Sequence, residues 1–452
     1  MIGPLIAVAF IIIVATLLIK KYYPHAVLLI AGLLMLITSF FMDYPMPGIK
    51  ENTGLFGFDL FRYIKESFAD TNAGVGLMIM AIGGFVAYID KIGASRSLVY
   101  ISLKPLSLFK KKPYLLASLV IPIGQTLFVC IPSAAGLGLL LMASVFPILI
   151  NLGVSRLSAV SVITACTAFG IGPASAITAS ATSIIDENTI TFFLKDQIPL
   201  VIPLSISMMI TYYFVNRYFD KKEKVDEKEE IEVEELQLTA PLYYAIIPVF
   251  PLILLIVFSG FFNIFETPIV LDTTTAMFIS LFVAIGFELF RKRNITEVMA
   301  SLKIFWNGMG NIFKTVVTLI IAADIFSKGL ISLGFIDGLV SLSQGLGFEA
   351  AGIGIVLTVM IFLASMLMGS GNASFFSFGP LVPKIAGELG ASSSKIILPM
   401  QLSASMGRTV SPVAGVLIAT AEIAKVSTFQ IVKRNLIPLG VGLVIMLLYH
   451  FI

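Results

Sequence analysis

An arginine stands inside an apolar run near the end of the chain. The stretch reads SMGRTVSPVAG from Ser405 to Gly415, and the surrounding residues are apolar from about Ile396 to Ala421. A guanidinium stays charged and grips a carboxylate through two parallel hydrogen bonds. At membrane depth such a charge costs at least about 2.5 kcal/mol and is rarely placed there without a partner or a water-lined cavity. Arg408 is therefore predicted to bind an anionic substrate.

Two alternatives to substrate binding are open for Arg408. Its guanidinium could form a buried ion pair with Asp324, or it could donate to backbone carbonyls. Asp324 also has two possible roles of its own. It could pair with Lys328 one helical turn away, or it could carry a coupling proton. Sodium coupling would instead use carbonyl and hydroxyl oxygens, so the coupling ion is H+ or Na+.

Four stretches of small residues interrupt the apolar runs: Ser133–Gly136, Gly170–Pro173, Gly369–Ala373 and Gly407–Pro412. A helix that restarts inside the bilayer presents free N–H groups and the positive end of its dipole, and converging starts bind anions. Residues at these breaks are therefore predicted to bind substrate with Arg408: Ser133, Ala134, Pro173, Ser175, Ser370, Gly371, Asn372, Thr409, Ser411 and Pro412. The alternative for each hydroxyl or amide is to cap its own helix.

The composition is that of a polytopic integral membrane protein. Of the 452 residues, 58% are hydrophobic and 13% are charged, and the mean hydropathy is +0.99. Two cysteines and two histidines form no ligand cluster, so no metal, cofactor or enzymatic nucleophile is expected. The positive residues form no basic arm, which argues against a nucleic-acid partner and leaves the lipid bilayer as the surrounding medium.

The second half of the chain repeats the plan of the first. The segment Gly172–Leu200 aligns without a gap with Ser411–Leu439. The predicted fold is all-α, with two inverted-topology repeats that each hold five transmembrane helices, one re-entrant hairpin and a helix broken at mid-membrane. The predicted parts are a first repeat at 1–216 (hairpin about 113–151, broken helix about 156–195), a charged cytoplasmic linker at 217–240, and a second repeat at 241–452 (hairpin about 350–388, broken helix about 394–424).

Lysines and arginines set the predicted orientation, because short cytoplasmic loops are enriched in them. Lys20 and Lys21 place the first loop inside, and the acidic segment from Asp43 to Asp70 then lies outside as a loop. Arg434 is assigned to a later cytoplasmic loop. Both termini are consequently predicted to be periplasmic.

Three stretches resemble a known family: GSGNASFFSFGPLVPKIA from Gly369, GRTVSPVAGVLIATAEIAKVSTFQIVKR from Gly407, and YFDKKEK from Tyr218 followed by TAPLYYAIIPVFP. They are similar to the anaerobic C4-dicarboxylate carriers of the DcuC type, within the wider ion-transporter superfamily. The resemblance implies a bacterial inner-membrane carrier of succinate, fumarate, malate or aspartate that works by exchange or efflux. It also implies a homodimer in which a moving part carries the two hairpins against a scaffold, an elevator mechanism.

The predicted function is secondary active transport of a small dicarboxylate, by symport or antiport, with alternating access around a midplane site. One arginine accounts for one carboxylate and leaves the other end of the ligand open. The alternative is therefore an ion-coupled carrier of another organic anion, such as a monocarboxylate or an acylated amino acid.

Overall fold

The computed structural model describes residues 2–50, 52–109, 111–223, 237–259, 269–345 and 350–451. These ranges contain helices, turns and loops but no β-strand. Ten helical stretches within them are long and apolar enough to cross a bilayer. The polytopic all-α membrane protein predicted from composition is therefore confirmed.

Helices of the first half are mostly apolar and several begin at proline, which fits the first helical turn because its missing N–H would be unpaired there in any case. Pro24 and Pro113 hold such positions. The helices are α1 Ile2–Ile19, α2 Pro24–Phe41, α3 Phe56–Thr71, α4 Leu77–Lys91, α5 Ala94–Leu103, α6 Pro113–Cys130, α7 Ala134–Asn151, α8 Arg156–Ala165, α9 Ala176–Ile184, α10 Thr189–Phe192 and α11 Ile198–Glu223.

Helices of the second half include two that begin at polar caps, Asp272 and Asn294, whose side chains accept hydrogen bonds from backbone N–H groups of the first turn. The helices are α12 Phe250–Val257, α13 Thr273–Lys292, α14 Ile295–Ile312, α15 Thr318–Ser332, α16 Phe335–Gly345, α17 Ala350–Met368, α18 Gly371–Phe378, α19 Val382–Glu388, α20 Ser393–Thr409, α21 Gly415–Ala424 and α22 Thr428–Phe451.

The order of elements in the first half recurs in the second. A π turn joins two helices in each, Asn72–Gly76 between α3 and α4 and Phe313–Val317 between α14 and α15. A glycine with left-handed backbone follows each pair, Gly93 with φ 84° and Gly334 with φ 72°, where any other residue would be strained. Two helix interruptions come next in both halves.

Three expected boundaries differ from the structure. The acidic segment expected to be a loop contains α3, in which charged residues interrupt the apolar ones so that no continuous hydrophobic run appears. The broken helix expected to reach position 195 ends at Ile184, and a new helix begins after Asn188, whose Oδ1 accepts a hydrogen bond from the Ile190 N–H at 3.1 Å. The expected charged linker begins inside α11, and positions 224–236 lie outside the described residues.

Arg434 lies within α22 and not in a loop. Its Nη1 is 2.6 Å from Oδ1 of Asp220, and the two side chains are 2% and 5% exposed. The same carboxylate accepts hydrogen bonds from the hydroxyls of Ser155 at 2.7 Å and Tyr114 at 3.0 Å. This fully partnered ion pair joins α22 of the second half to α6, α8 and α11 of the first.

The Asp220–Arg434 pair is predicted to be essential to stability. Arg434→Met leaves a buried carboxylate without its counter-ion, which costs about 3–5 kcal/mol. We expect a large fall in the midpoint of thermal unfolding in detergent. The control is Asp70→Asn, which breaks the exposed Lys50–Asp70 pair and is expected to leave the midpoint unchanged, because exposed pairs contribute little. Equal shifts for both variants would contradict the prediction.

Candidate functional site

The two helix interruptions of the first half are in contact. One lies between α6 and α7, and the other, residues 166–175, lies between α8 and α9. A Cβ built on Gly172 would be 2.6 Å from Cγ1 of Val129, one residue before the end of α6. Only glycine allows this approach, so the sequence fixes the contact at that position.

The two interruptions of the second half are also in contact. A Cβ built on Gly369, between α17 and α18, would be 3.0 Å from the backbone nitrogen of Ala414, between α20 and α21. A Cβ built on Gly371 would be 2.7 Å from the carbonyl oxygen of Ala404, one helical turn before Arg408. The start of α18 therefore lies beside the part of α20 that carries the arginine.

Contacts between the halves bring all four interruptions together. A Cβ on Gly170 would be 2.6 Å from Oγ of Ser405 in α20. A Cβ on Gly138 in α7 would be 2.8 Å from Cγ2 of Val416 in α21. These contacts link the interruptions in pairs, and the ones at Gly170 and Gly371 involve the last turns of α20.

Within the described residues, Arg408 makes one hydrogen bond to the protein. Its Nη2 donates to the carbonyl oxygen of Thr167 at 2.6 Å, in the interruption between α8 and α9. Its Nε is buried and has no hydrogen-bond partner in the same part of the chain. No carboxylate there pairs with this guanidinium, so its charge has no counter-ion among the described residues.

Asp324 is paired elsewhere. Its carboxylate lies 2.8 Å from Nζ of Lys328 and accepts a hydrogen bond from the Ser67 hydroxyl at 2.7 Å. Of the two alternatives considered for Arg408, the pair with Asp324 is absent, and the bond to a backbone carbonyl is present once.

Two of the predicted site serines cap helices. Oγ of Ser133 accepts a hydrogen bond from the Gly136 N–H at 3.1 Å, at the start of α7. Oγ of Ser370 accepts one from the Ala373 N–H at 3.2 Å, at the start of α18. Neither α9 nor α21 has a side-chain cap, so their first N–H groups stay open to a ligand.

The polar residues around Arg408 divide by exposure. Thr409 and Ser411 are fully buried, and the Thr409 hydroxyl donates to the carbonyl of Ser405 at 2.9 Å. Asn372, the second residue of α18, is partly exposed, and its side-chain amide has no hydrogen bond among the described residues. Ala134 and Pro412 are also partly exposed, as a cavity-lining position requires.

Pro173 and Ser175 lie in different surroundings. Pro173 lines a small apolar cavity with Phe85 and Leu255. The Ser175 hydroxyl donates to the carbonyl oxygen of Gly170 at 3.1 Å. This hydrogen bond therefore stabilises the non-helical segment between α8 and α9.

Two glutamines that sequence reasoning overlooked hold the interruption between α8 and α9. Nε2 of Gln401 donates to the carbonyl of Gly170 at 2.7 Å, and Oε1 of Gln197 accepts from the Gly172 N–H at 2.9 Å. Nε2 of Gln197 also donates to Oε1 of Gln401 at 3.0 Å, and both side chains are 0% exposed. The available signal was an uncharged amide beside or within an apolar run: Gln197 opens the apolar part of KDQIPL, and Gln401 lies within LPMQLSAS.

Two solved structures of membrane transporters share the fold of this chain. The fold matches the YdaH transporter of Alcanivorax borkumensis with a TM-score of 0.63 and 13% identity, over 95% of this chain and 97% of that one. It matches MtrF of Neisseria gonorrhoeae with a TM-score of 0.57 and 13% identity, over 95% and 96% of the two chains. At this identity the likeness concerns the fold alone.

The sequence identifies the family. The profile of the C4-dicarboxylate anaerobic carriers, DcuC, matches residues 2–452. The anaerobic C4-dicarboxylate transporter DcuC of Escherichia coli K12 is 36% identical over 444 residues, which are 98% of this chain and 95% of that protein. The chain belongs to the C4-dicarboxylate anaerobic carrier family, which confirms the resemblance and a transporter in place of an enzyme.

Close packing at Gly407 is predicted to be required for the site. A Cβ there would lie 2.2 Å from the carbonyl oxygen of Phe362 in α17, whereas a Cβ on Gly286 in α13 would meet nothing within 4 Å. Gly407→Ala must push α20 away from α17, so we expect loss of transport and a lower unfolding midpoint. Gly286→Ala is the matched control and should retain both. Normal transport by Gly407→Ala would refute the contact.

Proposed function

We propose that the chain is a secondary transporter of small C4-dicarboxylates in the bacterial inner membrane, with alternating access around the site at Arg408. The observation that supports it best is a guanidinium with an unpartnered, buried Nε where four helix interruptions meet. A fixed charge without a counter-ion is costly in a membrane protein, so an anionic ligand is its natural partner. The Escherichia coli relative is named a C4-dicarboxylate transporter.

A ligand with two carboxylates suits the distribution of donors. Arg408 binds one carboxylate through Nε and its terminal nitrogens. The second carboxylate lies toward the start of α18, where Asn372 has a free amide beside the capped turn. The N–H groups at the start of α21 contribute to the same anion-binding site. A monocarboxylate or an acylated amino acid would leave one of these groups unused.

The proposed repeats have opposite orientations in the membrane, and contacts at the two ends of the molecule support this. Ser158, in the first turn of α8, accepts a hydrogen bond from Nη1 of Arg434 in α22, the helix that follows α21, at 2.8 Å. Glu187, just after α9, accepts from the Ser394 hydroxyl at the start of α20 at 3.1 Å. The α8–α9 unit therefore ends where the α20–α21 unit begins.

Further features are part of the same proposal. The segments α6–α7 and α17–α19 are proposed to be re-entrant hairpins, and both termini are proposed to be periplasmic. Transport is coupled to H+ or Na+, by symport or antiport, within a homodimer whose moving part carries the hairpins. Because Asp324 is paired with Lys328, its role in this proposal is structural.

Uptake by the purified protein tests the substrate. Proteoliposomes are predicted to accumulate labelled succinate, because both carboxylates find donors. Lactate, which offers one carboxylate, should enter far more slowly. Imposing pH and sodium gradients separately identifies the coupling ion. Lactate flux without succinate flux would favour the alternative, a carrier of another organic anion.

Arg408→Lys tests the binding group. Lysine keeps the charge but loses the planar fork, so we expect the Km for succinate to rise at least about tenfold. Membrane insertion and the unfolding midpoint should change little. Arg217→Lys makes the same replacement at an exposed arginine and serves as the control. An unchanged Km in Arg408→Lys would remove Arg408 from the substrate site.

A further inference from the structure

A buried asparagine reaches the end of the helix that carries Arg408. Nδ2 of Asn435, in α22, donates to the carbonyl oxygen of Thr409 at 3.0 Å and to Oγ1 of Thr164 at 3.0 Å. Its Oδ1 accepts a hydrogen bond from the Tyr212 hydroxyl at 3.0 Å. All four residues are 0% exposed. Both amide hydrogens and the amide oxygen are therefore used inside the protein.

The bond to Thr409 replaces one that the interrupted helix has lost. In an unbroken helix the Thr409 carbonyl would accept from the Val413 N–H. Here that N–H faces Oγ of Ser411 at 3.4 Å, and α20 has ended. A buried carbonyl without a partner destabilises the fold. Asn435 removes this cost and fixes where the helix end lies.

Asn435 joins the same two elements that Arg408 joins. Arg408 precedes Thr409 at the end of α20 and donates to Thr167, just beyond α8. Asn435 bonds to Thr409 and to Thr164, close to one turn before Thr167. The distance from the end of α20 to the end of α8 therefore depends on this amide. That distance decides whether Nη2 of Arg408 reaches the Thr167 carbonyl. It also decides whether Nε stays without a protein partner.

We propose that Asn435 is a positioning residue that orients Arg408 for anion binding without touching the anion. Resting on the proposed function, this assigns a specific role in transport to a residue outside the site. The Tyr212 hydroxyl donates to Oδ1 of Asn435, and this leaves Nδ2 facing the Thr409 carbonyl, which can only accept. The two bonds together fix the orientation of the amide. A purely structural Asn435 would affect folding alone, whereas a positioning residue affects substrate affinity in the folded protein.

The experiment compares Asn435→Ala with a matched control, Asn216→Ala. Asn216 is also buried, and its Oδ1 accepts from Ser161 of α8 at 3.2 Å, but among the described residues it has no hydrogen bond to α20. Two quantities are measured, the Km for succinate in proteoliposomes and the amide hydrogen exchange of residues 405–415 without substrate. Asn435→Ala should raise the Km about tenfold and speed exchange in that segment. Asn216→Ala should change neither.

Tyr212→Phe is the second variant, in case Asn435→Ala does not fold. It keeps the asparagine but removes the donor that orients it, so a smaller rise in Km and in exchange is expected. An unchanged Km in folded variants, or an equal rise in Asn216→Ala, would overturn the proposal. If the unaltered protein carries no succinate, the proposed function fails. Exchange over residues 405–415 then decides the role of Asn435 alone, and unchanged exchange rejects it.

Discussion

Backbone groups inside a bilayer must find partners within the protein, because hydrocarbon offers none. This chain interrupts four helices at the place where they meet, and so frees N–H and C=O groups far from water. Buried side-chain amides answer that demand. Gln197 accepts from Gly172, Gln401 donates to Gly170, and Asn435 donates to Thr409. The proposed anion site depends on these partners, because they stabilise the non-helical segments inside the protein.

Two arginines of the second half show how burial and pairing separate structure from function. Arg434 is 1% exposed, and its charge is neutralised by Asp220, itself held by several hydroxyl groups. Arg408 has a single carbonyl partner and an unpaired Nε. The first arginine fastens the two halves of the chain together. The second has no counter-ion among the described residues, and the proposed function assigns it to an anionic substrate.

Much of the architecture was predictable because its signals are local. Glycine, serine and proline stand at each interruption, and the bounds of α6–α7 and α17–α19 coincide with the predicted segments 113–151 and 350–388. Arg408 stood out because a charge in an apolar run has few explanations. Helix α3 was missed, since charged residues interrupt its apolar ones and no continuous hydrophobic run appears. Arg434 was misplaced because its counter-ion lies 214 residues away.

Composition and short motifs encode the membrane class, the repeated order of elements, the four interruptions and the position of Arg408, so the residues alone predict them. Which groups those interruptions contact depends on how the helices pack. Asn435 and Thr409 are 26 residues apart, and Gln197 and Gln401 are 204 apart, so no local pattern could pair them. The pairing of Asp324 with Lys328 depends on the folded structure in the same way. So does the lack of a carboxylate partner for Arg408 among the described residues. Each depends on packing that brings distant backbone and side-chain groups within hydrogen-bond distance.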